Sequence, residues 1–155
     1  MAAKTVIPDP ASARDFAGEE LGPSEWVTVD QARIDAFAAV TGDRQWIHTD
    51  VARARAESPW GSTVAHGYLT LALVPVLLAE VLEIHGVTSV VNTGLDKLRL
   101  SAPVPAGARV RLRARIQSVR AIPRNGARIQ FAIRLEVEGS AKPALLAAVN
   151  YAYFG

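Results

Sequence analysis

The sequence predicts an α+β domain in which an antiparallel sheet wraps one long apolar helix. Three observations predict it. The run Gly67 to Ala79 is apolar nearly all round, as a helix buried on most sides must be. After that run the apolar period changes from helical to strand-like and stays so to the end of the chain. Before it lie only short segments separated by turn residues. At 155 residues, with no internal repeat and no low-complexity tract, the chain (1–155) reads as a single domain with an N-terminal arm of about residues 1–20.

Taken in order, residues 1–10 hold Pro8 and Pro10 and show no apolar period, so they are expected to form a loose arm. A short helix capped by Ser12 and a short strand ending at Asp30 follow. The Asp30 carboxylate suits an N-cap for the helix that starts at Gln31, whose apolar face would be Ile34, Phe37, Ala38 and Val40. Gly42 ends that helix, which leaves Asp43 in a loop. A short helix is predicted from Val51 to Ala56, then a loop around Pro59 and Gly61. The long helix should run from about Thr63 to Ile84, kinked by Pro75, with His85 and Gly86 closing it. Beyond it, Val87 to Leu100 reads as a strand interrupted near Gly94. The next strand alternates strictly, with Val110, Leu112, Ala114 and Ile116 on one face and Arg109, Arg111, Arg113 and Arg115 on the other. Asn125-Gly126 favours a hairpin turn, and Ile129, Phe131, Ile133, Leu135 and Val137 face inward on the strand after it. The final run, Ala144 to Phe154, is apolar on both faces and is expected to be central in the sheet or to lie against another subunit.

Composition excludes several classes of function. Without cysteine there is no disulfide and no thiolate metal site, which fits a cytoplasmic location. No secretory segment is visible at the start. The apolar run is shorter than the ~20 residues that span a bilayer and holds a proline, so no membrane span is expected. A formal charge of +2 gives no reason to expect nucleic acid.

Two phrases concentrate the chemistry: Thr-Gly-Asp-Arg-Gln-Trp-Ile-His at Thr41 to His48, and Ala-His-Gly-Tyr-Leu-Thr at Ala65 to Thr70. They hold two of the three histidines, and the second leads into the apolar run. Together with the later Lys97-to-Val110 stretch, they resemble the MaoC-like, (R)-specific enoyl-CoA hydratase family of the hotdog fold, within it the NodN-like single-hotdog dehydratases. The resemblance covers roughly Leu21 to Tyr153. It implies hydration of a trans-2-enoyl-CoA to the (R)-3-hydroxyacyl-CoA, or the reverse dehydration, by a homodimer. No metal or other cofactor is implied, CoA being part of the substrate. By position it implies that Asp43 and His48 hold the reacting water and that the Gly67 N–H faces the thioester oxygen. The commoner family phrase is Asp-x-Asn-Pro-x-His; here Gln45 stands for the Asn and Trp46 for the Pro. Gln45 keeps an amide donor one methylene further out, and Pro75 replaces a helix serine found in several relatives.

The chemistry explains why such residues are needed. Water must lose a proton as it attacks Cβ, a proton must reach Cα, and charge developing on the thioester oxygen must be stabilised. An imidazole titrates near working pH and suits the proton transfers, and a carboxylate fixes the water. A glycine in the first turn of a helix offers a free N–H and lets substrate approach the backbone. Each residue also has a plain structural reading: Asp43 as a loop-turn residue, His48 as a core or capping histidine, Gly67 as a packing glycine. His66 reads as support for the loop or a helix cap, and His85 as a helix-end residue interacting with the dipole. Trp60 and Tyr68 line either an acyl pocket or the core, and Lys97 and Arg99 are weak candidates for the CoA phosphates. The arginine row from Arg109 to Arg115 reads as a solvated strand face. His48, Asp50 and His66 could in principle form a metal site, but their spacing matches no compact metal motif. Two further functions stay open: a hotdog acyl-CoA thioesterase, and a non-catalytic acyl-thioester-binding subunit.

Overall fold

The computed structural model describes residues 3–155. Among the described residues there are eight strands and five α-helices: β1 (Thr5–Ile7), β2 (Glu20–Leu21), β3 (Val27–Val29), α1 (Gln31–Thr41), α2 (Trp46–Thr49), α3 (Val51–Glu57), α4 (Gly67–Ala72), α5 (Val74–Val81), β4 (Leu82–Ile84), β5 (Ser89–Leu100), β6 (Ala108–Ile122), β7 (Gly126–Val137) and β8 (Leu145–Phe154). The main sheet runs β2-β6-β7-β8-β5, with β3 also pairing with β6, and all its pairs are antiparallel. It curls around α4 and α5. Leu69, Val74, Leu77, Leu78 and Val81 of the helices join the inward residues of β6 and β7 in one apolar core.

Strict alternation makes β6 and β7 form where expected. Val110, Leu112, Ala114, Ile116, Ile129, Phe131, Ile133 and Leu135 are all buried, and the arginines between them face out. β8 lies between β7 and β5, so the expectation of a central strand holds. β5 is irregular at Asn92/Gly94, as expected near Gly94, and again at Asp96/Arg99.

Several expectations need correction. The arm is not wholly loose: a 3-10 turn (Ala11–Phe16) follows β1, and β1 pairs in parallel with β4. Asp9, not Ser12, does the capping there, accepting from both the backbone N–H and the hydroxyl of Ser12. The predicted long helix is shorter and divided. Residues 63–65 are extended because neighbouring chain takes their backbone groups: Val64 N–H donates to Ile47 O and Ala65 N–H to Val104 O. The helix breaks at Leu73, where Pro75 enters the first turn of α5 without an N–H to give. It ends at Val81 because Leu82–Ile84 form a strand against β1. His85 therefore ends no helix; its Nε2 lies 3.0 Å from Glu83 Oε1. Val40 is 82% exposed, since it sits six residues from Ile34 and so points away from the face that Ile34 and Ala38 bury. At the hairpin, Arg124 and Asn125 carry the positive φ values (64° and 51°), and Gly126 opens β7. A Cβ there would lie 2.5 Å from Tyr153 O, so close backbone approach is what requires the glycine.

Candidate active site

α1 begins as predicted, with the Asp30 carboxylate accepting from Arg33 N–H, and ends at Gly42 in the left-handed region (φ 82°). The reversal puts Asp43 in a loop between α1 and α2. Its Oδ1 accepts from Gln45 N–H at 3.5 Å, a weak Asx-type turn, and its side chain is 53% exposed. Five residues on, His48 is buried in α2, and its Nδ1 lies 2.6 Å from Val64 O. A carbonyl can only accept, so Nδ1 carries the proton and the lone pair of the neutral ring sits on Nε2.

His66 is more deeply buried (2%). Its Nε2 donates to the backbone carbonyl of Asp43 at 2.9 Å and lies 4.0 Å from the Asp43 carboxylate. Its ring stacks on His48 (centroids 3.8 Å apart, planes 23° apart), while Phe37 covers it at 4.9 Å. Its Nδ1 is buried without a hydrogen-bond partner. One donor atom from each of Asp43, His48 and His66 lies within 4.8 Å of the others. That grouping has the donor types of a metal site, and it differs from the trio weighed from sequence. Asp50 instead caps α3, accepting from Arg53 N–H.

Gly67 is the first residue of α4, and no side chain caps that helix. Its N–H has no acceptor within the helix. A Cβ at Gly67 would lie 2.4 Å from Leu100 Cδ1, the end of a half-exposed side chain that can turn aside, so packing on β5 favours the glycine without demanding it. Next to it, Trp60, Ala65, Thr70, Ser101, Pro103 and Ala144 help line a pocket of about 270 Å³. A second, mainly apolar cavity of about 310 Å³ lies beside α5, between Pro75, Leu78, Ala79, Val90, Tyr151 and Tyr153. Burial raises the Tyr153 hydroxyl pKa well above the ordinary phenol value. It also raises that of Tyr151; Asn92 pulls the other way without forming a hydrogen bond of ordinary geometry.

Among the remaining residues singled out from sequence, Trp60 lines the pocket beside Gly67 and is 42% exposed. Tyr68 is 73% exposed and points away from the core. The Gln45 residue is exposed beside Asp43, where its side chain makes no hydrogen bond to the described residues. Lys97 sits in the β5 irregularity with φ 52°, and Arg99, also exposed, pairs with Leu146 next to the Leu100 that covers Gly67. Gln31 was not picked out from sequence. Its amide donates to His48 O and to Asp35, and its oxygen accepts from Thr63. Nothing in a helix-opening glutamine signals that role, which depends on chain distant in sequence.

The MaoC like domain matches residues 13–137. The 3-hydroxyacyl-thioester dehydratase Z of Mycobacterium tuberculosis is 46% identical over 131 residues, covering 84% of this chain and 86% of that protein. Nodulation protein N of Rhizobium meliloti is 41% identical over 133 residues, covering 85% and 83%. The R-hydratase PhaJ1 of Pseudomonas aeruginosa superposes with a TM-score of 0.71 at 25% identity, over 89% of this chain and 81% of that one. With its sheet curled around α4 and α5, the chain is a hotdog domain and belongs to the MaoC-like dehydratase family.

Proposed function

We propose that the chain adds water to a trans-2-enoyl thioester to give the (R)-3-hydroxyacyl thioester, or removes it. The observation that carries this reading is the convergence of Asp43 and His48, with donor atoms within 4.8 Å, near the free helix-end N–H of Gly67. Water held between the carboxylate and His48 Nε2 attacks Cβ, and Nε2 takes its proton. Electron density moves to the thioester oxygen, where the Gly67 N–H stabilises the enolate. The Asp43–His48 pair returns one proton to Cα, so the elements of water are added across the double bond. No metal or other cofactor takes part. The apolar cavity beside Leu78 and Ala79 supports a place for the acyl tail: Pro75 lies eight residues past Gly67, ~12 Å along a helix.

A second copy of the chain completes the assembly. β5 is a sheet edge, and Val90, Val91, Leu95 and Leu100 on it are 37–55% exposed. An apolar strand edge of this kind calls for a cover.

The test is loss of the enoyl-thioester absorbance band with crotonyl-CoA and a longer enoyl-CoA. Wild type is expected to turn over, with and without a chelator. Asp43→Asn and His48→Gln should each lose about 10²–10⁴-fold in kcat. Release of free thiol instead would assign a thioesterase. Binding without turnover, equal in wild type and Asp43→Asn, would assign a non-catalytic acyl binder.

A further inference from the structure

The arginine row of β6 is not explained by the proposed chemistry. Most of its members have partners. Arg109 pairs with Glu138, and Arg115 pairs with Glu20. Around Glu136 the charges do not balance. Arg111 (2.7 Å) and Arg113 (3.0 Å) both bind this one carboxylate, and Arg134 approaches it at 3.8 Å. Lys142, exposed in the turn that Ser140 organises, has no ion pair among the described residues. Three cations thus share one anion, and Lys142 lines the same hollow as a fourth. Trp26, Arg111, Arg134, Glu136, Ser140 and Lys142 form a notch of about 270 Å³. The Arg111 guanidinium stacks 4.4 Å from the Trp26 ring, which fixes its plane and leaves an aromatic wall beside it.

The position of the notch matters as much as its charge. Pro143 lines it, and the next residue, Ala144, lines the pocket beside Gly67. Ala144 N–H donates to Leu135 O at 2.8 Å, one residue from Glu136. The two walls are therefore one strand spacing apart, ~5 Å. The Gly67 pocket, lined also by Ser101, Pro103 and Ala144, thus adjoins the notch that Lys142 and Pro143 line.

We propose that this notch binds the phosphorylated nucleotide end of coenzyme A. The inference rests on the thioester reading of the Gly67 pocket. Guanidinium forks and an ammonium suit phosphate oxygens, and an aromatic wall suits a purine. A concave site of this volume fits a nucleotide better than the convex surface of a carrier protein.

The experiment compares wild type with Arg134→Ala/Lys142→Ala, which keeps the Arg111–Glu136 and Arg113–Glu136 pairs. Both are assayed with crotonyl-CoA, with crotonyl-pantetheine (which lacks the nucleotide) and with crotonyl acyl carrier protein. The expected result is a KM for crotonyl-CoA about tenfold higher in the variant, with kcat unchanged and with the same KM for crotonyl-pantetheine in both proteins. Lys142→Glu alone, on an exposed turn, should shift the CoA KM in the same direction. An unchanged CoA KM overturns the proposal. So does an effect confined to the carrier-protein substrate, which would make the notch a protein-docking site. If wild type turns over none of the three, the thioester reading fails separately. Calorimetric titration of CoA then decides the notch alone: weaker binding by the variant supports it, and equal binding overturns it.

Discussion

Two buried imidazoles stacked face to face divide the work at the site. His48 is held by its Nδ1 proton, which puts its lone pair on Nε2, while His66 uses its Nε2 proton to hold the main chain of the loop that carries Asp43. Replacing His66 with Phe keeps a ring against His48 but removes that donor. The expected outcome is a roughly tenfold fall in kcat with KM little changed, the size of effect that ~1.4 kcal/mol of lost positioning gives. Steady-state kinetics on the enoyl thioester, with a melting curve as control, measures it. His66→Gln, which retains an amide donor, should recover part of the loss. The residues that meet here were legible in two short phrases, because an acid, imidazoles and a glycine stand beside the apolar run. His66 was read as support for the loop, but its acceptor, Asp43 O, was not legible, since main-chain acceptors leave no trace in composition. Gln31 was missed for the same reason.

Among the elements, β6 and β7 depend on an outer ladder of charge as well as on their inner apolar face. Burial alone would raise the pKa of the Glu136 carboxyl, but Arg111 and Arg113 outweigh it and hold it below the ordinary 4.5. A depressed carboxyl stabilises the fold above its unfolded pKa, and that contribution is lost as pH falls through the lower folded value. Glu136→Gln should therefore cost ~1 kcal/mol near neutral pH, about 3 °C in Tm, and the gap to wild type should close as pH falls through the lowered folded value. Thermal unfolding across that range measures it. Filling the cavity beside α5 tests the acyl-tail placement: Ala79→Phe should lower kcat/KM for a long enoyl-CoA by ~10-fold or more and spare crotonyl-CoA. Strand alternation made β6 and β7 readable in sequence. The division of the helix was half readable, as Pro75 announces it. β4 was not readable, because Leu82–Ile84 become a strand only where β1 arrives to pair with them.

At the level of the whole molecule, the exposed β5 edge predicts the state in solution. Val91→Lys and Leu95→Lys place like charges along an edge that a second copy is proposed to cover. Wild type is expected to sediment as a dimer and the double variant as a monomer, with activity reduced in proportion. Equal sedimentation of the two would remove β5 from the interface. Strand order and the position of that edge were beyond sequence reading, since they depend on which distant strands pair. The core-facing pattern, in contrast, fixed the fold class early. The oxygens that orient both imidazoles, those of Val64 and Asp43, belong to the main chain. A point mutation at either position alters a side chain yet leaves its acceptor in place. Such a centre tolerates drift in residue identity at its supports, but a one-residue insertion or deletion between His48 and Val64 would move the acceptor out of register.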